Sequence, residues 1–394
     1  MLNVKEAISS LLENSEVLTG RETVELASAG GRTLAADVVS DIHVPPADNS
    51  AMDGYAFRFE DWRDAETAIS LSQRITAGSV PQPLLPGTAA RIFTGAEVPP
   101  GADTVVMQEH CDGDDDSVTI FKCPVHGANI RPRGQDIESG QTVLTAGLRL
   151  RPQDIGLVAS LGQASVDVYR PLKVAVLSTG DELVEPGEVA TPGKIYNSNR
   201  YTMRAQLDEW GFEVVDLGVA RDEPQAVREL LEKASAESDV ILTSGGVSVG
   251  EEDHVKAVVE SLGSLDLWRI AIKPGKPFAF GSVNGTPFLG LPGNPVSVFV
   301  TMLVIARPFL FASQGIAATC LHAVRQKALF SRKSSFREDY IRVRLTKQGL
   351  EPYDNQSSGA LFSTSWGDGL VRQPAGEIIE HGGSVDYLPF ALFN

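Results

Sequence analysis

DVILTSGGVSVGEEDHVKAVVESLG, residues 239–263, decides the fold. A run of β-formers ends in glycines, and a helical period follows, so the segment is strand, glycine turn, helix. Outward from it the same grammar repeats. LKVAVLSTGDEL (172–183) is a buried strand ending in a second glycine turn, and SNRYTMRAQLDEWG (198–211) is an amphipathic helix closed by glycine. FEVVDLGVARD (212–222) is a strand and EPQAVRELLEKASAES (223–238) a helix. RIAIKPGKPFAFG (269–281) and TPFLGLPGNPVSVFVTMLVIARPFL (286–310) complete the series. Alternation of this kind predicts an α/β unit with a parallel sheet covered on both faces. Its ligands are expected at the carboxyl ends of the strands.

Either side of this unit the texture changes. Residues 1–40 read as an amphipathic helix and a strand-like tail, and 43–57 (HVPPADNSAMDGYAF) as an irregular loop. From there to about residue 150, short apolar runs broken by Gly and Pro predict a β-rich domain with hairpins. RPQDIGLVASLGQASVDVYR (151–170) reads as a short helix and a strand. After about residue 316 the pattern is β again, with YIRVRLTKQ alternating strictly. A chain of 394 residues exceeds one ordinary core, so several domains are expected. With 42% hydrophobic and 22% charged residues the composition is that of a folded globular protein.

A net charge of −17 argues against broad binding to nucleic acid or an anionic membrane, since both need an extended basic surface. Local clusters oppose that sign at Arg131/Arg133 and Arg269/Lys273/Lys276, so a small anion remains admissible. The most apolar stretch, 296–311, is interrupted by Arg307-Pro308 and predicts a buried helix rather than a membrane span. The N-terminal segment lacks a secretory layout, and three cysteines without a CxxC argue against a disulfide framework. A cytoplasmic setting is the expectation.

In the loop 244–253, Gly245, Gly246 and Gly250 permit positive φ and close backbone approach to a ligand, and N–H groups at the helix start favour an anion. It is neither a Walker A sequence nor a GxGxxG fingerprint, so ATP hydrolysis and NAD chemistry are not implied. Glu251, Glu252 and Asp253 would repel phosphate unless one holds a divalent cation; the other reading is first-turn helix acids favoured by the dipole. Asp181-Glu182 forms a similar acid pair, with Asp181 also readable as a helix cap. Lys273 and Lys276 flank Pro274-Gly275, a stiff turn suited to an oxyanion. In LPGNPVSVF (291–299), Ser297 either caps a helix or contacts ligand. DGDDD (112–116) reads as a solvated hairpin turn. The six histidines show neither ligand spacing nor a partner nucleophile.

Taken together, the strings NSAMDGYA, TGAEVPPGADTVVMQE, RPRGQDI, STGDEL, YNSNRY, SGGVSVGEED, IKPGKPFAFG and LPGNPVSV resemble the MoeA/gephyrin E-domain family of molybdenum insertases, in order and across almost the whole chain. The resemblance implies a multidomain α/β-plus-β fold. Its parts are a discontinuous linker domain (1–45 and 140–171), an inserted β lid (46–139), an α/β molybdopterin-binding domain (172–315) and a C-terminal β-barrel-like domain (316–394). It implies insertion of molybdate into adenylylated molybdopterin (molybdopterin-AMP) with release of AMP, aided by magnesium (Mg2+). It further implies a homodimer and a candidate partner adenylyltransferase. By the same resemblance, Glu182, Asp222 and Asp253 face the pterin phosphate and its cation. Thr179, Gly180, Ser244, Gly245, Gly246, Ser248, Gly250, Pro292 and Gly293 belong to the pterin cradle. Lys273, Lys276 and Ser297 correspond to oxyanion-binding positions, with Arg342 and Ser358 from the C-terminal domain. Asp53, Thr94 and Asp136 match lid and linker-side positions acting across the dimer.

Two other readings are weighed. A molybdopterin adenylyltransferase shares the α/β domain but is much shorter, and a scaffold of the same fold would need a partner-binding linker that is not seen. Tungstate in place of molybdate is left open.

Overall fold

In the computed structural model the described residues are 1–246, 254–317 and 321–393. In the decisive segment strand Val240–Ser244 precedes helix His254–Leu262, with 247–253 between them outside the described residues. The central sheet has six strands, in the order 213–220, 173–179, 240–244, 286–291, 277–283, 263–269. The first four pair in parallel. Along Lys173–Thr179, alternate residues enter opposite cores, as the period-2 pleat requires. Val174, Val176, Val240, Leu242, Leu289 and Leu291 pack on one face, with Met203 and Leu207. Ala175, Leu177, Ile241 and Phe288 pack on the other, with Val227, Leu231, Val255 and Val259. Both faces are covered, and such strands are apolar throughout for that reason.

The last two strands depart from the expected parallel run. Pro277–Val283 pairs antiparallel with Thr286–Leu291, and Gly263–Arg269 antiparallel with Pro277–Val283. The cause is the two-residue turn Asn284-Gly285, both at positive φ (50° and 87°), a connection that can only reverse the chain.

The apolar run Pro295–Ser313 is one continuous helical stretch containing a π-type turn at Met302–Ala306. It is long and apolar enough to cross a membrane, yet 89% of it is buried in the protein core. The N-terminal helix Val4–Glu13, capped by Asn3 and Glu6, places Val4, Ala7 and Leu11 in this same core cluster rather than among the residues of the linker.

The linker residues form two antiparallel pairings, Arg21–Glu25 with Ser165–Tyr169 and Val38–Val39 with Thr142–Leu144. Helix Pro152–Ser160 contributes Val158 to their core. The chain enters and leaves the lid side by side, Asn49–Ser50 pairing with Ile130–Arg131. Within the lid, six strands between Gly54 and Ile120 make a mixed sheet. The DGDDD run turns between Cys111–Gly113 and Ser117–Ile120, with Asp114 Oδ1 accepting the N–H groups of Asp116 and Ser117.

Beyond residue 321, strands 324–327, 338–345, 350–352, 369–373 and 384–389 form the C-terminal sheet. One edge of that sheet is foreign. Ile272–Lys273, from the α/β unit, pairs in parallel with Glu338–Asp339. Glu338 N–H also donates to Ala271 O (2.8 Å), fixing the two units together beside the carboxyl ends of the parallel strands.

Candidate active site

At those carboxyl ends lies a cleft of about 690 Å³. Three strand-end turns and the C-terminal sheet supply its walls. Gly245 and Gly246 follow strand 240–244 at positive φ (87° and 66°), and a Cβ on Gly246 would stand 2.4 Å from Val255 Cγ2. Gly245 N–H donates to Leu291 O, tying this turn to Pro292-Gly293-Asn294. That second turn is held from below by Asn199, whose side-chain amide donates to Gly293 O (2.7 Å). Ser297, 4% exposed, follows it on the helix start. The helix is met by the C-terminal unit, where Ser358 O accepts the Val296 N–H (3.0 Å).

The third turn carries the cations. Lys273, Pro274, Gly275 and Lys276 all line the cleft. Gly275 sits at φ 113°, and a Cβ there would fall 2.3 Å from Thr301 Cγ2. Only glycine fits both the backbone and the space. Gly275→Ala is therefore expected to lose about 2–4 kcal/mol of stability from strain plus overpacking. Urea denaturation checks this, and a midpoint within experimental error of the parent would refute it.

Of the residues expected from sequence, the cleft gathers Glu182, Gly245, Gly246, Lys273, Lys276, Pro292, Gly293, Ser297 and Ser358. Thr179 and Gly180 stand just behind: Thr179 Oγ1 lies 3.0 Å from where a Gly246 Cβ would be, and Glu182 folds its carboxylate back over Gly180. Ser244 is buried beneath, its hydroxyl 3.2 Å from that of Ser178. Asp222 does not line the cleft, but its N–H donates to Asp181 Oδ1 (3.2 Å), linking its loop to that of Glu182. Ser248, Gly250 and Asp253 lie outside the described residues.

Asp53, Thr94 and Asp136 are absent from the described lining of the cleft. In the lid, Asp53 Oδ1 accepts from both the N–H (2.8 Å) and the hydroxyl (2.7 Å) of Thr94. These two bonds, the backbone one first, hold the Asp53 carboxyl below its usual range and keep it ionised at neutral pH. Asp136 is exposed, with its N–H on Val44 O (3.0 Å).

Arg342 stands behind the described lining. It is fully buried, and its guanidinium is consumed within the C-terminal unit by Ser363 Oγ, Tyr340 O and Ser357 O. Burial lowers its pKa to about 10. Its backbone is clasped by Gln356, which accepts from Arg342 N–H and donates to Arg342 O. Arg342 thus props the wall formed by Gln356, Ser357 and Ser358, and does not reach the cleft. The arginine that does is Arg337. Its Nη1 donates to Ile272 O (3.3 Å), and it lies over the Phe336 ring at 5.3 Å. Its Nε is buried with no acceptor among the described residues, an orphan donor that a ligand can satisfy. Sequence reading missed it because Arg337 precedes strand Glu338–Leu345 by one residue and nothing in the residues themselves shows which arginine is covered. Burial alone separates them.

The charge balance is decisive. In a chain of net −17, the described lining brings Lys273, Lys276 and Arg337 together against one carboxylate, Glu182. Such a cleft attracts a small anion locally while the rest of the surface repels one. Among the described residues no three His, Cys, Asp or Glu side chains cluster as a cation site.

Comparison with known proteins accounts for the whole architecture. Residues 2–162 match the family described as MoeA N-terminal region (domain I and II). Residues 175–312 match the probable molybdopterin binding domain, and 327–390 the MoeA C-terminal region (domain IV). A molybdopterin molybdenumtransferase of Haemophilus influenzae is 44% identical over 317 residues, 80% of this chain and 78% of that one. One from a Nostoc species is 40% identical over 305 residues, 75% of this chain and 70% of that one. The crystal structure of a molybdopterin biosynthesis moeA protein from Pyrococcus horikoshii superposes with a TM-score of 0.83 at 32% identity, covering 100% of this chain and 99% of that one. With matched regions from end to end, the chain belongs to the MoeA family of molybdopterin molybdenumtransferases.

Proposed function

We propose that this chain inserts molybdenum into adenylylated molybdopterin, taking up molybdate and releasing AMP in molybdenum cofactor biosynthesis. The observation that carries the reading is the convergence of Lys273, Lys276 and Arg337 with the Gly245-Gly246 and Pro292-Gly293 turns in one cleft. The glycine turns let a pterin phosphate approach the backbone, and the three cations suit a tetrahedral oxyanion beside it. Lys276 has no acceptor among the described residues, so its ammonium is available to the anion. Ser297 and Ser358 add polar contacts on the same wall.

The reading extends to a homodimer in the cytoplasm, in which a partner's lid would bring Asp53 and Thr94 to the cleft. The resemblance of the NSAMDGYA and TGAEVPPGADTVVMQE strings carries that arrangement. The resemblance carries Mg2+ on Glu182, Asp222 and Asp253, of which Asp253 lies outside the described residues.

The test is AMP release from adenylylated molybdopterin as a function of molybdate. Lys273→Ala is expected to shift the half-saturating molybdate concentration upward by about tenfold, the usual scale for losing one charge-assisted contact. Asp53→Ala is expected to fold normally and lose molybdate-dependent release. Wild-type turnover by both variants would exclude this reading. Efficient synthesis of the AMP adduct from ATP and molybdopterin would favour an adenylyltransferase instead.

A further inference from the structure

Asp339 lies on the C-terminal strand that pairs with Ile272–Lys273, in register with Lys273 itself. Its side chain is almost completely buried, yet it faces cations on several sides. Arg332 Nη2 holds Oδ2 at 2.6 Å, and Lys273 Nζ stands 3.6 Å from the same oxygen. The buried Arg342 guanidinium is electrostatically coupled to it as well. The two distances do different work. At 2.6 Å the arginine makes a full charge-assisted hydrogen bond, which keeps a buried carboxylate tolerable. At 3.6 Å the lysine is beyond hydrogen-bond length, so it is drawn into place while its N–H donors stay open to the cleft.

We propose that Asp339 is a positioning residue for oxyanion binding: from the C-terminal unit it fixes the Lys273 ammonium at the cleft wall and balances the buried cations behind it. The inference rests on the oxyanion reading of Lys273. It explains why Lys273 sits on a two-residue strand belonging to the other unit's sheet. That pairing carries the lysine to its counter-ion. Without the carboxylate, Lys273, Arg332 and Arg342 would repel one another, and the lysine would swing toward solvent, where its side chain is already 41% exposed.

The experiment uses the full chain with molybdate and adenylylated molybdopterin. Asp339→Asn is expected to raise the molybdate KM about tenfold, leaving kcat and the pterin KM within about twofold of the parent. In the Lys273→Ala background the same substitution is expected to add nothing to the molybdate KM, because a residue acting through another shows non-additivity. An unchanged molybdate KM, or effects that simply add, would overturn the proposal. If Asp339→Asn does not fold, Asp339→Glu replaces it, keeping the charge but moving it by one methylene. A molybdate KM raised severalfold at parental thermal stability supports positioning, and a parental KM refutes it. A parental molybdate KM in Lys273→Ala alone would remove the oxyanion reading beneath both.

Discussion

Arg337→Ala is expected to raise the molybdate concentration for half-maximal AMP release by about 10- to 100-fold, with stability near that of the parent. Arg337 lines the cleft, and its buried Nε has no acceptor among the described residues. Among the described residues the side-chain hydrogen bond it makes is a 3.3 Å contact with Ile272 O, so little structural bonding is lost with the side chain. Arg342→Ala is the contrasting variant. It removes three hydrogen bonds inside a closed core and strands their acceptors, so its first consequence is loss of stability, about 3–5 kcal/mol. Steady-state kinetics and thermal unfolding on the two variants separate the roles. If Arg342→Ala were stable and selectively impaired in molybdate use while Arg337→Ala behaved as parent, the assignment would be reversed.

Trp210→Ala is expected to destabilise the protein by about 3–5 kcal/mol without changing either substrate's KM in the surviving folded fraction. Trp210 is 2% exposed and meets Phe212 and Phe311 edge-on at 6.1 and 5.5 Å. Its indole N–H donates to Phe393 O (2.6 Å), and Arg307 Nε donates to the same carbonyl while stacking over Phe311 at 4.0 Å. The indole therefore holds the end of the chain onto the α/β unit as well as filling its core. Trp210→Phe is expected to recover most of the packing and to leave the carbonyl with Arg307 alone. Chemical denaturation of the two variants checks this, and a loss under 1 kcal/mol for the alanine would refute it.

The sequence exposed the parallel half of the sheet because strands covered on both faces are apolar throughout and end in glycine. The hairpin at the sheet's other edge was equally written, as Asn284-Gly285, but the apolar runs flanking it look the same in either direction. The decisive signal was the turn dipeptide, not the strands. Arg337 and Arg342 show a different limit. Both alternate along or beside one strand, and which of them meets solvent depends on the loop 353–358 folding over Arg342. No periodicity reports that. Gly245, Gly246 and Lys273/Lys276 stood out in the sequence because their backbone demands are local, and their convergence did not, since Lys273 is placed by a strand pairing across 66 residues of chain, from 273 to 339.

That borrowed strand also bears on how the protein is assembled and cut. The sheet beyond residue 321 is finished by two residues made earlier in synthesis, so the fourth unit cannot close until the third is in place. Excised alone, it would present the Glu338–Asp339 edge as unpaired N–H and C=O groups beside a carboxylate stripped of its lysine, a surface prone to pairing with other chains. The polypeptide is therefore poorly severed near residue 316, where a cut would part the C-terminal sheet from its own edge strand.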